Sequence, residues 1–157
     1  MAANMRSFIK AVRRKAAVVY VGSVKDVQLL TRTKFDIKAR ALVDVLAVAR
    51  GPGNHREASL EYSSFDDKTP MLEGGPQYQL RAGVKVVVFA NSFASTIPPG
   101  YLIQGSREEL LHRVAALRDA LSQMSPDQLN VNEINEQDRR IQLALYEKLS
   151  AYLRTAK

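Results

Sequence analysis

Residues 33–50 read TKFDIKARALVDVLAVAR, and whether they form a strand or a helix decides the fold. Phe35, Ile37, Ala39, Ala41, Val43, Val45, Ala47 and Ala49 put an apolar side chain at every odd position. The even positions are charged at Lys34, Asp36, Lys38 and Arg40, then mixed from Leu42 to Arg50. Side chains of a strand alternate between its faces, so the pattern describes a strand with one wet face in its first half and cover on both faces in its second. A helix is the rival reading. Asp36, Arg40 and Asp44 would then form a charged i, i+4 ladder, and alanine, leucine and arginine all favour helix. On a helical wheel, however, Lys38 falls inside the apolar arc and Val43 and Ala47 inside the charged one, which favours the strand.

The neighbouring segments extend the β reading in both directions. Upstream, residues 16–24 (AAVVYVGSV) form a β-branched run interrupted by Gly22, which predicts a central strand with a bulge or bend at the glycine. Residues 25–33 are read as the hairpin connection into the long strand. Downstream, Gly51-Pro52-Gly53-Asn54 stops that strand. Residues 56–64 alternate again, with Ala58, Leu60 and Tyr62 on one face, which predicts antiparallel pairing with residues 43–50. Residues 65–79 are polar, rich in Asp, Gly and Pro, and read as the longest loop. Gly83 supplies a turn before a strand over 84–90, and a short strand is expected around 101–104.

Two helices are predicted after the sheet. Ser106 and Glu109 have the spacing of a capping box, in which each side chain accepts a hydrogen bond from the other residue's backbone N–H. The helix they open runs to about Met124 on a stripe of Leu110, Leu111, Val114, Leu117 and Leu121, and Ser125-Pro126-Asp127 ends it. A second helix, 132–155, carries Ile134, Ile141, Leu145, Leu149, Tyr152 and Leu153 at the same period. At the other end, Met5, Phe8, Ile9, Val12 and Ala16 predict a short amphipathic helix whose remaining surface is basic. The expected architecture is mainly β with α. It comprises a basic helix over 1–15, a five-stranded antiparallel barrel of the oligosaccharide/oligonucleotide-binding (OB) type over 16–104, and a helical pair over 105–157.

Composition limits the classes available. At 157 residues the chain fits one domain with a core of its own, and 46% apolar with 25% charged residues is a globular balance. No apolar run approaches the roughly 18 residues that cross a bilayer, and residues 16–21 are too short for the core of a signal peptide. The expected location is cytoplasmic as written, or secreted or periplasmic if a leader once preceded Met1. Having no cysteine removes disulfides, thiolate nucleophiles and Cys-ligated zinc together. The net charge of +7 is concentrated early, because residues 1–50 hold eleven Lys and Arg against three Asp. Such a first third suits an acidic protein, nucleic acid or an anionic membrane.

Three segments also resemble a known family. Ala17-Val-Val-Tyr-Val-Gly22-Ser-Val, the late Val-Leu-Ala-Val-Ala-Arg-Gly of the long strand, and Leu80-x-x-Gly83-x-x-Val-Val-Val-Phe-Ala90 are similar to the netrin-like (NTR) domain. That domain is shared by tissue inhibitors of metalloproteinases, complement C-terminal domains and bacterial relatives. The resemblance spans about residues 16–123 and implies an OB-type barrel that binds other proteins. Family inhibitors chelate the protease metal through an N-terminal cysteine that this chain lacks, so no inhibitory residue carries over.

Side chains able to do chemistry are few. His55 and His112 are the only histidines, HExxH and G-x-S-x-G are absent, and the glycines match no phosphate-binding loop. Asp66-Asp67 is the remaining cation candidate and reads as a solvated pair. No catalytic residue, metal or cofactor is therefore expected. The binding candidates fall into three groups. Lys25, Arg32, Lys34, Lys38, Arg40 and Arg56 form a basic face for a partner or a single nucleic-acid strand, although Tyr20, Phe35 and Tyr62 are assigned to the core and only Tyr78 and Tyr101 to loops. Leu145, Leu149, Tyr152 and Leu153 form a helix stripe for self-association or another protein. Arg6, Lys10, Arg13 and Arg14 form an N-terminal face for anionic lipid. The expectation is a non-catalytic binding module for another protein or itself, with single-stranded nucleic acid second and peripheral membrane contact third.

Overall fold

The computed structural model describes residues 16–34, 36–66, 68–69, 78–96 and 102–155. The basic N-terminal helix expected over 1–15, with Arg6, Lys10, Arg13 and Arg14, lies outside them. Six strands, β1 (Val18–Arg32), β2 (Ile37–Arg50), β3 (Glu57–Ser64), β4 (Lys85–Ala90), β5 (Ala94–Thr96) and β6 (Leu102–Gly105), precede three helices, α1 (Arg107–Ser122), α2 (Pro126–Val131) and α3 (Glu136–Thr155). The sheet order is β5-β3-β2-β1-β4-β6. Five strands pair antiparallel, and the three-residue β5, which the sequence reading missed, lies parallel to β3. Among the described residues the sheet is not closed.

The stretch that decides the fold is a strand. Its inner face buries Ile37, Ala39, Ala41 and Val43. It pairs with β1 as a hairpin, as expected, but β1 is longer than expected, because residues 25–32 continue it instead of turning. No glycine or proline interrupts them, and Val27 and Leu29 keep the alternation. The reversal comes at Thr33, whose N–H donates to the Asp36 carbonyl at 2.8 Å while its Oγ1 accepts from the Asp36 N–H at 3.0 Å. The β1–β2 ladder bends through four register shifts, one of them at Gly22. A Cβ there would sit 2.3 Å from Val43 Cγ1 and 3.0 Å from the Asp44 carbonyl, so only glycine lets the strands approach this closely.

The β2–β3 register is also shifted from expectation. β3 pairs with Ile37 to Asp44, so only Val43 and Asp44 of the expected residues 43–50 take part. Gly51 adopts φ +107° and Pro52 has no N–H, so the chain cannot fold straight back into a ladder, and pairing starts only where the Val45 N–H donates to Arg56 O.

The sheet separates two cores. On its inner face Val18, Tyr20, Val24, Ala41, Val43, Leu60, Tyr62, Val86 and Val88 pack together. On its outer face Val19, Val21, Val87, Phe89 and Ile103 pack against Leu110, Val114, Leu145, Leu149 and Leu153 of the helices. The predicted capping box opens α1, with both bonds at 3.2 Å. Ser125 ends the first helix as expected and begins another, forming a second capping box with Gln128. The last helix starts at Glu136 rather than 132, since Glu133 turns to φ +57° and Asn135 Oδ1 then accepts from the Asp138 N–H at 2.7 Å. Arg139 Nη1 donates to Met124 O at 2.9 Å, and Arg107 Nη1 to Arg154 O at 3.2 Å, so α1 and α3 lie antiparallel.

Candidate functional site

The basic face assembles as the alternation of β2 dictates, and β3 neutralises much of it. Lys38 and Arg40 project together toward β3. Arg40 Nη2 lies 2.6 Å from Glu61 Oε1, and Lys38 Nζ lies 2.8 Å from Ser63 Oγ and 3.5 Å from Asp36. Arg32 closes on Asp66 at 2.6 Å, and Lys25 reaches Glu57 at 4.0 Å. Lys34 sits exposed in the β1–β2 turn and Arg56 exposed just before β3. Arg32 pairs with the inward-facing Ile37, so it belongs to the other face of the sheet from Lys38 and Arg40. A phosphate strand approaching them would meet Asp36, Glu57, Glu61 and Asp66 as well, and exposed pairs of this kind leave little net field. The sequence alone hid this, because the register that sets Glu61 against Arg40 depends on where β3 begins.

Asp66 is held mainly by the Arg32 guanidinium, which keeps its carboxyl well below the usual carboxylate range. Its Oδ1 also accepts from the Lys68 and Thr69 N–H groups, both at 2.9 Å. The carboxylate is thus committed to a turn and an ion pair, not to a cation; Asp67 lies outside the described residues.

The helix stripe is core rather than interface. Leu145, Leu149 and Leu153 are buried against α1 and the sheet, and Tyr152 is half-buried beside them. The body covers them more fully than expected, because the outer faces of β1 and β2 also pack against α3.

Tyr20 and Tyr62 are buried as assigned, and burial pushes the Tyr62 hydroxyl up to about 12. Tyr78 is not a loop ligand. It is buried, edge-on to Tyr62 with ring centroids 6.4 Å apart. Phe35 and Tyr101 lie outside the described residues. His112 is exposed on α1, and His55 is exposed but stacked on Phe93 with centroids 4.1 Å apart, at the wall of an apolar groove of about 690 Å³.

Two exposed leucines lie next to each other on β1. The last backbone bonds from β1 toward β4 are from the Val24 N–H to Val84 O at 2.9 Å and from the Gly83 N–H to Val24 O at 2.8 Å. Beyond them, among the described residues, β1 has a strand partner only on its β2 side. Leu29 is 57% exposed there and Leu30 38%. The sequence contained this signal as two leucines in a segment taken for a turn.

Among the described residues no helix is long and apolar enough to cross a membrane. No protein-family model matches the chain, and no curated protein matches it.

Proposed function

We propose that the chain is a non-catalytic binding module, built on an OB-like, netrin-like frame, that takes another protein chain along the outer edge of β1. The reading is carried by Leu29, which belongs to the inner face of the sheet and yet stands in the open. A row of backbone N–H and C=O groups without a strand partner, flanked by inward-facing apolar side chains, is suited to an extended segment that adds to the sheet. The partner of first resort is a second copy of the chain. The bulges on either side of this stretch limit how far a neighbour can pair, so the contact is short. A weak, concentration-dependent assembly follows.

The paired cations put nucleic acid below protein. Salt-sensitive retention on a phosphate polymer, lost when Lys34, Lys38 and Arg40 are neutralised, would reverse that order. Membrane contact rests on residues 1–15 and on nothing in the sheet.

Sedimentation velocity over a concentration series, combined with hydrogen exchange, tests the reading. A mass that rises above 17.5 kDa with concentration and returns to it in a Leu29→Lys, Leu30→Lys chain supports self-association. A monomer whose 25–32 amides exchange quickly points to a different protein partner. Amides at 25–32 protected in the monomer as strongly as those of Ala39 to Val43 would mean that the chain covers its own edge, and would end the proposal.

A further inference from the structure

A second site adjoins the start of that edge, where the turn before β4 meets the start of α1. A cavity of about 1030 Å³ opens there, and Arg81, Lys85 and Arg107 line it together with Phe65, Val84 and Glu109. The charge arrangement is the reverse of that on the β1–β3 face. There Lys25, Arg32, Lys38 and Arg40 each have a carboxylate within 4.0 Å. Among the described residues, none of the three cations around the cavity has one. Lys85 Nζ reaches only Ser23 Oγ, at 3.5 Å, and Arg107 donates to a backbone carbonyl. Among the described residues of the wall the one carboxylate, Glu109, is engaged in the α1 capping box. Cations gathered around one concave surface attract a counter-charge, and guanidinium groups suit oxyanions in particular.

We infer that this cavity is a binding site for a small phosphate-bearing molecule, its oxyanion between Arg81, Lys85 and Arg107 and its organic part against Phe65 and Val84. The positive end of α1 lies on the same wall and adds to the attraction without being its basis. The site shares no residue with the β1 edge, so either reading can stand without the other.

Amide shift titrations with inorganic phosphate and with phenyl phosphate, at constant ionic strength set by chloride, test the inference. Saturable shifts are expected at Gly83, Gly105, Ser106 and Arg107, and phenyl phosphate should add shifts at Phe65. Arg81→Ala should weaken binding about tenfold, the loss of one charge-assisted hydrogen bond. Arg81 is exposed, so its truncation should leave the fold intact, and Lys38→Ala, outside the cavity lining, should leave binding unchanged. Shifts that never saturate, that chloride alone reproduces, or that persist unchanged in Arg81→Ala would overturn the site. Equal binding of both probes without a response at Phe65 would overturn the placement of the organic part.

Discussion

Leu29 stands directly opposite Ala39 in the β1–β2 ladder, and the two differ sharply in cover: Ala39 is 4% exposed and Leu29 57%. The sheet therefore turns an apolar face toward its own interior at Ala39 and toward solvent one strand away. Replacing Leu29 with serine should change unfolding free energy by no more than about 0.5 kcal/mol, as expected for an exposed position. The same variant should lose any concentration-dependent mass. Urea denaturation and sedimentation on one preparation separate the two effects.

Gly22 is expected to tolerate no side chain. Valine there must displace Val43 in the buried inner core, and overpacking of this kind costs about 1–3 kcal/mol. The urea midpoint of Gly22→Val should fall accordingly. Gly53, around which a Cβ would find open space, serves as the control, and Gly53→Ala should fall far less.

Acid should weaken the molecule partly through Asp66. Its folded carboxyl titrates below the ordinary aspartate value of about 3.9, so its contribution is present above that value and is lost as pH falls from there toward the folded value. Melting temperature followed from pH 6 to pH 2 should decline less steeply below about pH 4 in Asp66→Asn than in the native chain. Equal slopes would show that the Arg32 contact contributes nothing in solution.

Alkali acts in the opposite sense. Burial raises the Tyr20 and Tyr62 hydroxyls above the ordinary tyrosine value of about 10, so the stability they confer is complete below that value and is lost as pH rises toward the folded values. Absorbance at the phenolate band should show Tyr20 and Tyr62 ionising only in step with the loss of circular dichroism. Ionisation of all six tyrosines in one early phase would contradict their burial.

The two capping boxes give a graded pair. Ser106→Ala and Ser125→Ala should each cost about 1 kcal/mol, measured by chemical denaturation.

What could be read from the sequence was what depends on near neighbours. The alternation of residues 37–44, the bend at Gly22, the turn at Gly83 and the Ser106–Glu109 box are all set within a few residues, and the structure has each of them, whereas the cover expected on both faces of residues 45–50 fails at Leu46, which is exposed. What depends on distant partners could not be read. Residues 25–32 lacked a turn signal, and their pairing is fixed by Ile37 to Leu42 across the ladder. Glu61 neutralises Arg40 through a register that Gly51-Pro52-Gly53 sets by delaying the return strand. The stripe of Leu145, Leu149 and Leu153 has the same periodicity whether it meets solvent or a sheet, and only Val19, Val21 and Phe89 on its far side decide which. β5 has three residues, too short to carry a period at all.

Val18 and Tyr20 feed one core while Val19 and Val21, their immediate neighbours, feed the other. One ribbon is thus a party wall between two rooms, and neither room keeps its shape once the wall is gone. The helices after residue 105 are lodgers on that wall, not a detachable annex. A chain cut between β6 and α1 should leave Phe89 and Ile103 facing water and the severed helical half without a surface to rest on, so the pieces should precipitate apart and recover their fold only when mixed.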